Sequence, residues 1–277
     1  MIARNFEYST PSTLAEALAL LADGEAKALS GGMSLIPLMK LRLASPDLVV
    51  DLSGVPGLNG IVETADGIEI GAMTTHHDVE SSALLRSKCP LLAETAAAIG
   101  DVQIRNRGTI GGAVAHADPS ADYPAALQAL EARVKIAGVA GERVVSAADF
   151  FVDTFTTALE PGELVTGVIV PAEAEGTGVN YTKMLQPASG FAIVGIAVRV
   201  RKDGSLARIG VTGLGAKSYR AEAAEAKLAA GDVDGAAALV ADGVEANADI
   251  HASAAYRSQM ARVYGARAMR AALNRAA

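Results

Sequence analysis

Residues Arg105 to Ala125 read RNRGTIGGAVAHADPSADYPA, setting Gly108, Gly111 and Gly112 around Thr109 and Ile110 and following them with Asp118, Pro119, Ser120, Asp122 and Pro124. Glycine has no Cβ, so a loop of this make-up lets backbone N–H groups come close to a ligand. A second glycine loop, SGGMS from Ser30 to Ser34, follows a short apolar segment, Ala26 to Leu29. After it, Pro37 suits a helix first turn, Leu38 to Leu43 continue the helix, Pro46 stops it, and Leu48 to Leu52 return as a strand. That order places helix N–H groups and partial positive charge behind a turn that a pyrophosphate can reach. A lone glycine pair is more simply read as a tight turn. Two such loops point to one long, two-ended nucleotide.

The rest of the sequence narrows the classes. A chain of 277 residues is expected to divide into about two domains. Its apolar stretches, such as Phe191 to Val198, fall far short of the roughly 20 residues that span a bilayer, so stable membrane insertion is not expected. The segment MIARNFEYSTPS has neither an apolar core nor a small-residue cleavage site, which makes the cytoplasm the expected location. The formal charge is −7, from 24 basic and 31 acidic residues, and no basic stripe is interleaved with aromatics. Nucleic acid is therefore not an expected partner. One cysteine, Cys89, allows neither an internal disulfide nor a self-contained iron–sulfur cluster, which takes about four thiolates. Cys89 reads as a small buried hydrophobe. His76 and His77 are adjacent, cannot share a helical face as metal ligands, and read as surface or capping residues.

Turn and periodicity signals give the elements. Thr13 with Glu16 forms a capping box ahead of Leu14, Leu18 and Leu21, in competition with a start at Thr10-Pro11. Asp66-Gly67 joins Ile61–Glu63 to Ile68–Gly71 as a hairpin, Thr75 caps a helix, and Leu84 to Ile99 is helical with a break at Pro90. Asp122 to Ala132 is a further helix, and Val134–Ala137, Arg143–Val145 and Leu164–Val170 are strands. Phe150, Phe151 and Phe155 are expected together in a core or an inter-domain seam. AEAEGTG, Ala172 to Gly178, is the domain boundary. Beyond it, Tyr181–Leu185, Phe191–Arg201 and Leu206–Thr212 are strands, the last two joined by a two-residue turn at Asp203-Gly204. Tyr219–Ala230, Val233–Ala246 and Ala255–Ala276 are helices, with Tyr256, Met260, Val263 and Tyr264 facing inward on the last. The class is α+β, with domains 1–176 (subdomains about 1–53 and 54–176) and 177–277, the latter a small antiparallel sheet with helices. GMSLI lacks the second glycine of a hydrolase elbow, and GLGAKS lacks the spacing of a phosphate-binding P-loop.

SGGMSLIPLMKLRLASPDLVVDL and GTIGGAVAHADPSADYPA, with IGAMTTHHDVE between them and YTKMLQPASGFAIVGIAV beyond, closely resemble the FAD-binding medium subunit of the molybdenum hydroxylases, the carbon monoxide dehydrogenase and xanthine dehydrogenase family. The likeness covers essentially the whole chain. It implies a vanillyl-alcohol-oxidase-like (PCMH-type) FAD-binding domain in two subdomains and a separate C-terminal domain. It further implies that Leu29, Ser30, Gly31, Gly32, Met33, Ser34 and Leu35, with Thr109, Ile110, Gly111, Gly112 and Ala113, wrap the diphosphate and ribityl portion of FAD. Both loops offer N–H groups without side-chain cations, in keeping with a diphosphate held by backbone dipoles. Asp122 would repel a diphosphate, and is expected to accept from a sugar hydroxyl or a flavin N–H, or else to be a helix first-turn charge.

Lys183 matches a lysine near the flavin, where positive charge favours a reduced, anionic ring, the alternative being a solvent-exposed lysine. Phe191 matches a position where relatives often place a tyrosine over the ring, the alternative being strand core. Met33 stands where many relatives have histidine or glutamine, and Ala113 where asparagine often closes the loop; His116 is the candidate to compensate. The resemblance implies oxidation at a molybdenum cofactor in a large subunit, with electrons passing through 2Fe-2S clusters of a small subunit to FAD here and on to an external acceptor. The assembly implied is a dimer of heterotrimers. No catalytic residue or metal ligand is assigned to this chain. The alternative is a nucleotide-binding interaction module of the same fold without redox function, favoured by Ala113 and Met33.

Overall fold

The structure, a computed structural model, describes residues 2–22 and 24–277. Three parallel strands open the chain, with Leu48–Asp51 between Glu7–Ser9 and Lys27–Leu29. Glu7–Ser9 escapes sequence reading because it is a three-residue edge strand with mostly exposed side chains, which carries no hydrophobic alternation. Helix Leu14–Leu21 buries Ala17, Leu18 and Leu21, and Thr13 is its cap. The Thr13 hydroxyl accepts the Glu16 N–H at 3.2 Å, while the Glu16 carboxylate accepts from the N–H and hydroxyl of Ser12 at 2.8 and 3.0 Å.

A five-stranded antiparallel sheet follows, ordered Ile61–Thr64, Gly67–Gly71, Leu164–Val170, Arg133–Gly138, Gly141–Ser146. Its inner residues, among them Ile68, Ile70, Val134, Ile136 and Val168, form one core with Leu91 and Leu92 of helix Pro90–Ala97 and Leu127 of helix Tyr123–Ala129. Phe150 and Phe151 join that core edge to face at 5.3 Å, but Phe155 lies exposed at the surface. The expected three-ring cluster is therefore a pair.

The last sheet is antiparallel, ordered Gly178–Leu185, Ala192–Val200, Ala207–Thr212, Tyr219–Arg220. Strand Ala192–Val200 is buried at every position because both faces are covered. Val194, Ile196, Val198 and Val200 meet the 22-residue helix Ala254–Arg275, whereas Ala197 packs with Val179 into the core of the preceding domain. On that side helix Tyr123–Ala129 lies so close that a Cβ on Gly210 would overlap the Ala125 carbonyl oxygen. Arg199 ties the two halves: its Nε and Nη2 donate to the Glu173 carboxylate at 2.6 and 2.9 Å, and its Nη1 donates to the Ala129 carbonyl at 3.1 Å.

Three expectations change here. Strands Ala192–Val200 and Ala207–Thr212 are joined by residues 201–206, closed by Arg201 N–H donating to Leu206 O at 2.9 Å, and not by a two-residue turn. Tyr219–Arg220 is an edge strand, and the helix begins at Glu222. The last helix turns Arg257, Ala261, Gly265, Ala268, Met269 and Ala272 inward, while Tyr256 is exposed and Val263 sits at the flank. Close approach selects the small residues, since a Cβ on Gly178 would overlap the Ala272 carbonyl.

Candidate functional site

The first glycine loop leaves strand Lys27–Leu29 and enters helix Leu35–Lys40. Gly32 takes φ +76°, which a side chain rarely adopts, and a Cβ there would stand 2.6 Å from Ile36 Cδ1. The first bond after the loop is Ile36 N–H to Gly32 O at 3.1 Å. The N–H groups of Gly31, Gly32, Met33, Ser34 and Leu35 find no acceptor among the described residues, and the Ser34 hydroxyl makes no capping bond. Five successive donors thus remain available at a helix N-terminus, and backbone N–H groups left this way are normally satisfied by a ligand or water. The Met33 side chain is exposed and takes no part in them.

The second loop is built differently. Ile110, Gly111, Gly112 and Ala113 form the first turn of helix Ile110–His116, a helix hidden in the sequence by its two glycines. Thr109 caps it, accepting the Gly112 N–H at 3.1 Å, and its carbonyl accepts the Ala113 N–H at 3.1 Å. Ile110 and Gly111 donate to the carbonyls of Thr74 and Ala72 at 3.0 and 2.9 Å. The reading that both loops offer free N–H groups therefore holds for the first loop and is corrected for the second. The two loops touch: Ser30 Oγ and Thr109 Oγ1 are 2.6 Å apart, and a Cβ on Gly31 would overlap the Arg107 carbonyl oxygen. Gly111 is equally constrained by Ala72, but Gly112 meets only Thr109 Oγ1 at 3.0 Å and Ser30 at 3.6 Å.

His76 lies beneath the second loop, which corrects its reading as a surface residue. It is 4% exposed, its N–H donates to Gly108 O at 2.9 Å, and its ring packs 5.3 Å from that of Tyr123. Burial, with the Arg105 charge adding, lowers its pKa from 6.5 to about 4. His116, at the far end of the same helix as Ala113, packs on Phe155 at 5.0 Å, and burial lowers its pKa as well. Cys89 is fully buried, and burial pushes its thiol up to about 12.

Asp122 and Lys183, read separately above, pair with each other. Asp122 is 5% exposed and begins helix Tyr123–Ala129 without capping it. Its carboxylate accepts from Tyr181 Oη at 2.5 Å and from Lys183 Nζ at 3.0 Å. Burial raises its pKa, against the opposing pull of Lys183 and the Tyr181 hydroxyl. The Lys183 side chain is 6% exposed, which removes the solvent-exposed alternative. Tyr181 was not singled out by its sequence, although its place two residues before Lys183 on one strand face is the signal that finds it. Phe191 lies outside the strand that follows it and is 43% exposed, so it is not core. A shallow cavity of about 190 Å³ opens beside it, lined also by Asp118, Ser120, Gln186, His251 and Arg257.

Residues 4–173 match the family described as the FAD binding domain in molybdopterin dehydrogenase, and residues 180–272 match the carbon monoxide dehydrogenase flavoprotein C-terminal domain. The chain belongs to the FAD-binding flavoprotein family of the molybdopterin dehydrogenases. It is 40% identical to the carbon monoxide dehydrogenase medium chain of Afipia carboxidovorans, with 100% of this chain and 99% of that one covered. It is 42% identical to the medium chain from Hydrogenophaga pseudoflava over 82% of its own length and 81% of the relative's. A solved structure of carbon monoxide dehydrogenase from that organism superposes with a TM-score of 0.95, at 42% identity, covering 100% of both chains. The cofactor of this fold is FAD, and the residues present fit it: unpartnered N–H donors suit a diphosphate, and the carboxylate beside the loop, Asp51, which pairs in the sheet with Leu29, already accepts from the Tyr8 hydroxyl and the Ser53 N–H. Among the described residues there is no cluster able to hold a metal ion, and no helix is long and apolar enough to cross a membrane.

Proposed function

We propose that this chain is the FAD-carrying electron-transfer subunit of a heterotrimeric molybdenum hydroxylase, passing electrons from the 2Fe-2S clusters of a small partner subunit via FAD to an external acceptor. The large partner holds the molybdenum cofactor and oxidises the substrate, and the complex is a cytoplasmic dimer of heterotrimers. The observation that carries the reading is the row of five unpartnered N–H groups, Gly31 to Leu35, on a loop locked to the second one through Ser30 and Thr109. When bound, FAD supplies reversible electron chemistry at its ring.

The rest of the work falls to residues of this chain. Gly31 to Leu35 hold the diphosphate by N–H donation, with Leu29 and Ser30 shaping the approach. Thr109 to Ala113 contribute a close, side-chain-poor wall: Gly112 offers its Cα, and Thr109 fixes the turn. Ala113 does not weaken that wall, because the turn is held by backbone bonds and the Thr109 hydroxyl. His116 and Phe155 lie beyond it, at the outer end of the helix. Asp122, Tyr181 and Lys183 close the seam between the domains, and the exposed ring of Phe191 is the apolar face available to the flavin.

Purification through an affinity tag on this chain in its native host tests the assignment. The expected result is co-isolation of a larger molybdenum-containing chain and a smaller iron–sulfur chain, with FAD released on denaturation. A solitary, stable, colourless chain that does not take up FAD contradicts it and leaves the interaction-module reading.

A further inference from the structure

We propose that Lys183 is a positioning residue that holds the 186–191 turn, and with it Phe191, against the FAD-binding domain, its charge balanced by Asp122 instead of being offered to the cofactor. The inference rests on the FAD-site reading above. Three segments meet at one ammonium group. Asp122 comes from the start of helix Tyr123–Ala129, Lys183 from strand Gly178–Leu185, and the Gly190 carbonyl from the turn, with Nζ 3.0 Å from the carboxylate and 2.6 Å from Gly190 O. Both charged side chains are more than nine-tenths buried.

The turn is a self-contained unit. Gly190 N–H donates to Gln186 O at 2.8 Å, Gln186 N–H donates to Phe191 O at 2.8 Å, and the Gln186 side-chain oxygen accepts the N–H groups of Ala188 and Ser189 at 2.7 and 2.8 Å. Such a unit moves as a body, so what fixes it is what ties it to its surroundings. Ala192 N–H to Ser120 O at 3.1 Å anchors the residue just after Phe191. Gly190, at φ +74°, lies flush against Gly100, where a Cβ would come within 3.3 Å of the Gly100 Cα. The Lys183–Gly190 bond is charge-assisted and buried, and it anchors the turn from beneath.

The charge argument follows from the same atoms. One ammonium faces one carboxylate, with the Tyr181 hydroxyl as a further donor to Asp122. A compensated pair has a weak field beyond its own neighbourhood, so Lys183 acts on the cofactor through the place of the turn and not as a free cation.

The test uses the FAD-loaded complex and three variants, Lys183→Gln, Lys183→Arg and the charge-balanced pair Asp122→Asn with Lys183→Gln. Hydrogen exchange of the Gln186 and Gly190 amides should speed up roughly ten- to hundredfold in Lys183→Gln, the effect of losing one charge-assisted bond. Iodide quenching of flavin fluorescence should rise with it. Lys183→Arg should restore protection, and the charge-balanced pair should loosen the turn while leaving the flavin midpoint potential at the wild-type value. Unchanged amide exchange in Lys183→Gln, or a shifted potential in the balanced pair, overturns the proposal and returns Lys183 to the role of a charge facing the ring. Asp122→Asn alone, which keeps the Lys183–Gly190 bond, should leave the turn protected; exchange as fast as in Lys183→Gln also overturns it. Absence of FAD from the wild-type complex refutes the underlying site and is distinct from all these outcomes.

Discussion

Replacing Gly31 with alanine tests the contact on which the cleft is built. The new Cβ would overlap the Arg107 carbonyl oxygen and stand 2.7 Å from Gly108 Cα, where ordinary contact begins at 3.4 Å, so the Gly108 contact alone parts the two loops by about 0.7 Å and the closer Arg107 contact by more. That movement takes the 2.6 Å Ser30–Thr109 hydrogen bond to the limit of its range. Overpacking of this kind costs about 1–3 kcal/mol and the lost bond about 0.5–1.5 kcal/mol, together roughly 2–4 kcal/mol. The strain has two outlets. If the loops stay closed it appears as lost stability; if they open it appears as lost FAD affinity, by roughly 10²-fold. The assay is FAD per chain after gel filtration, together with the thermal midpoint of the same sample. Gly112→Ala is the milder comparison, since its Cβ meets one side-chain atom, Thr109 Oγ1, at 3.0 Å and Ser30 at 3.6 Å, and it should cost less stability than Gly31→Ala. Gly112→Val should fold and still lose FAD. Gly31→Ala with wild-type FAD content and an unchanged midpoint would refute the reasoning.

Other outcomes follow from buried charges and thiols. Arg199→Met leaves Glu173 buried without its partner and should cost about 3–5 kcal/mol in thermal or urea unfolding, while adding Glu173→Leu should recover most of it; a single variant as stable as the wild type contradicts the clamp. His76 has a folded pKa of about 4 against 6.5, so its neutral ring contributes stability in full above pH 6.5, lost as pH falls from there through 4, with a slope up to about 1.4 kcal/mol per pH unit. His76→Gln should flatten that part of the pH–stability profile, and a profile parallel to wild type contradicts the assignment. Cys89, with its thiol pushed up to about 12, should resist thiol reagents at pH 8 until denaturant is added; labelling of the folded chain at the rate of a free thiol would be inconsistent with its burial.

The parts of the fold legible in the sequence are those with a local cause. The hairpin near Asp66-Gly67, the break at Pro90 and the cap at Thr13 are each set by residues within a few positions. The break appears where the sequence places it, the cap is Thr13 and not Thr10, and the turn falls one residue early, at Ala65-Asp66 with Thr64 paired to Gly67. The inward stripe of the last helix is legible in part: Met260 and Tyr264 pack against the core, but Tyr256 is exposed, and nothing within the helix announces that its last turns are pressed against Gly178, where the small residue Ala272 faces inward. The same distinction runs through the site. Glycine spacing located both loops, but not that the second is a helix whose N–H groups are already bonded to Ala72, Thr74 and Thr109. Asp122 and Lys183 are 61 positions apart, and only the docking of helix Tyr123–Ala129 on the C-terminal sheet makes them one ion pair.

The most direct test of the central claim is the flavin content of the complex isolated through this chain. One FAD per copy of the chain is expected, lost in Gly112→Val while the partners are retained. A complex with both partners present and FAD absent, or FAD retained undiminished by Gly112→Val, would contradict the two-loop site.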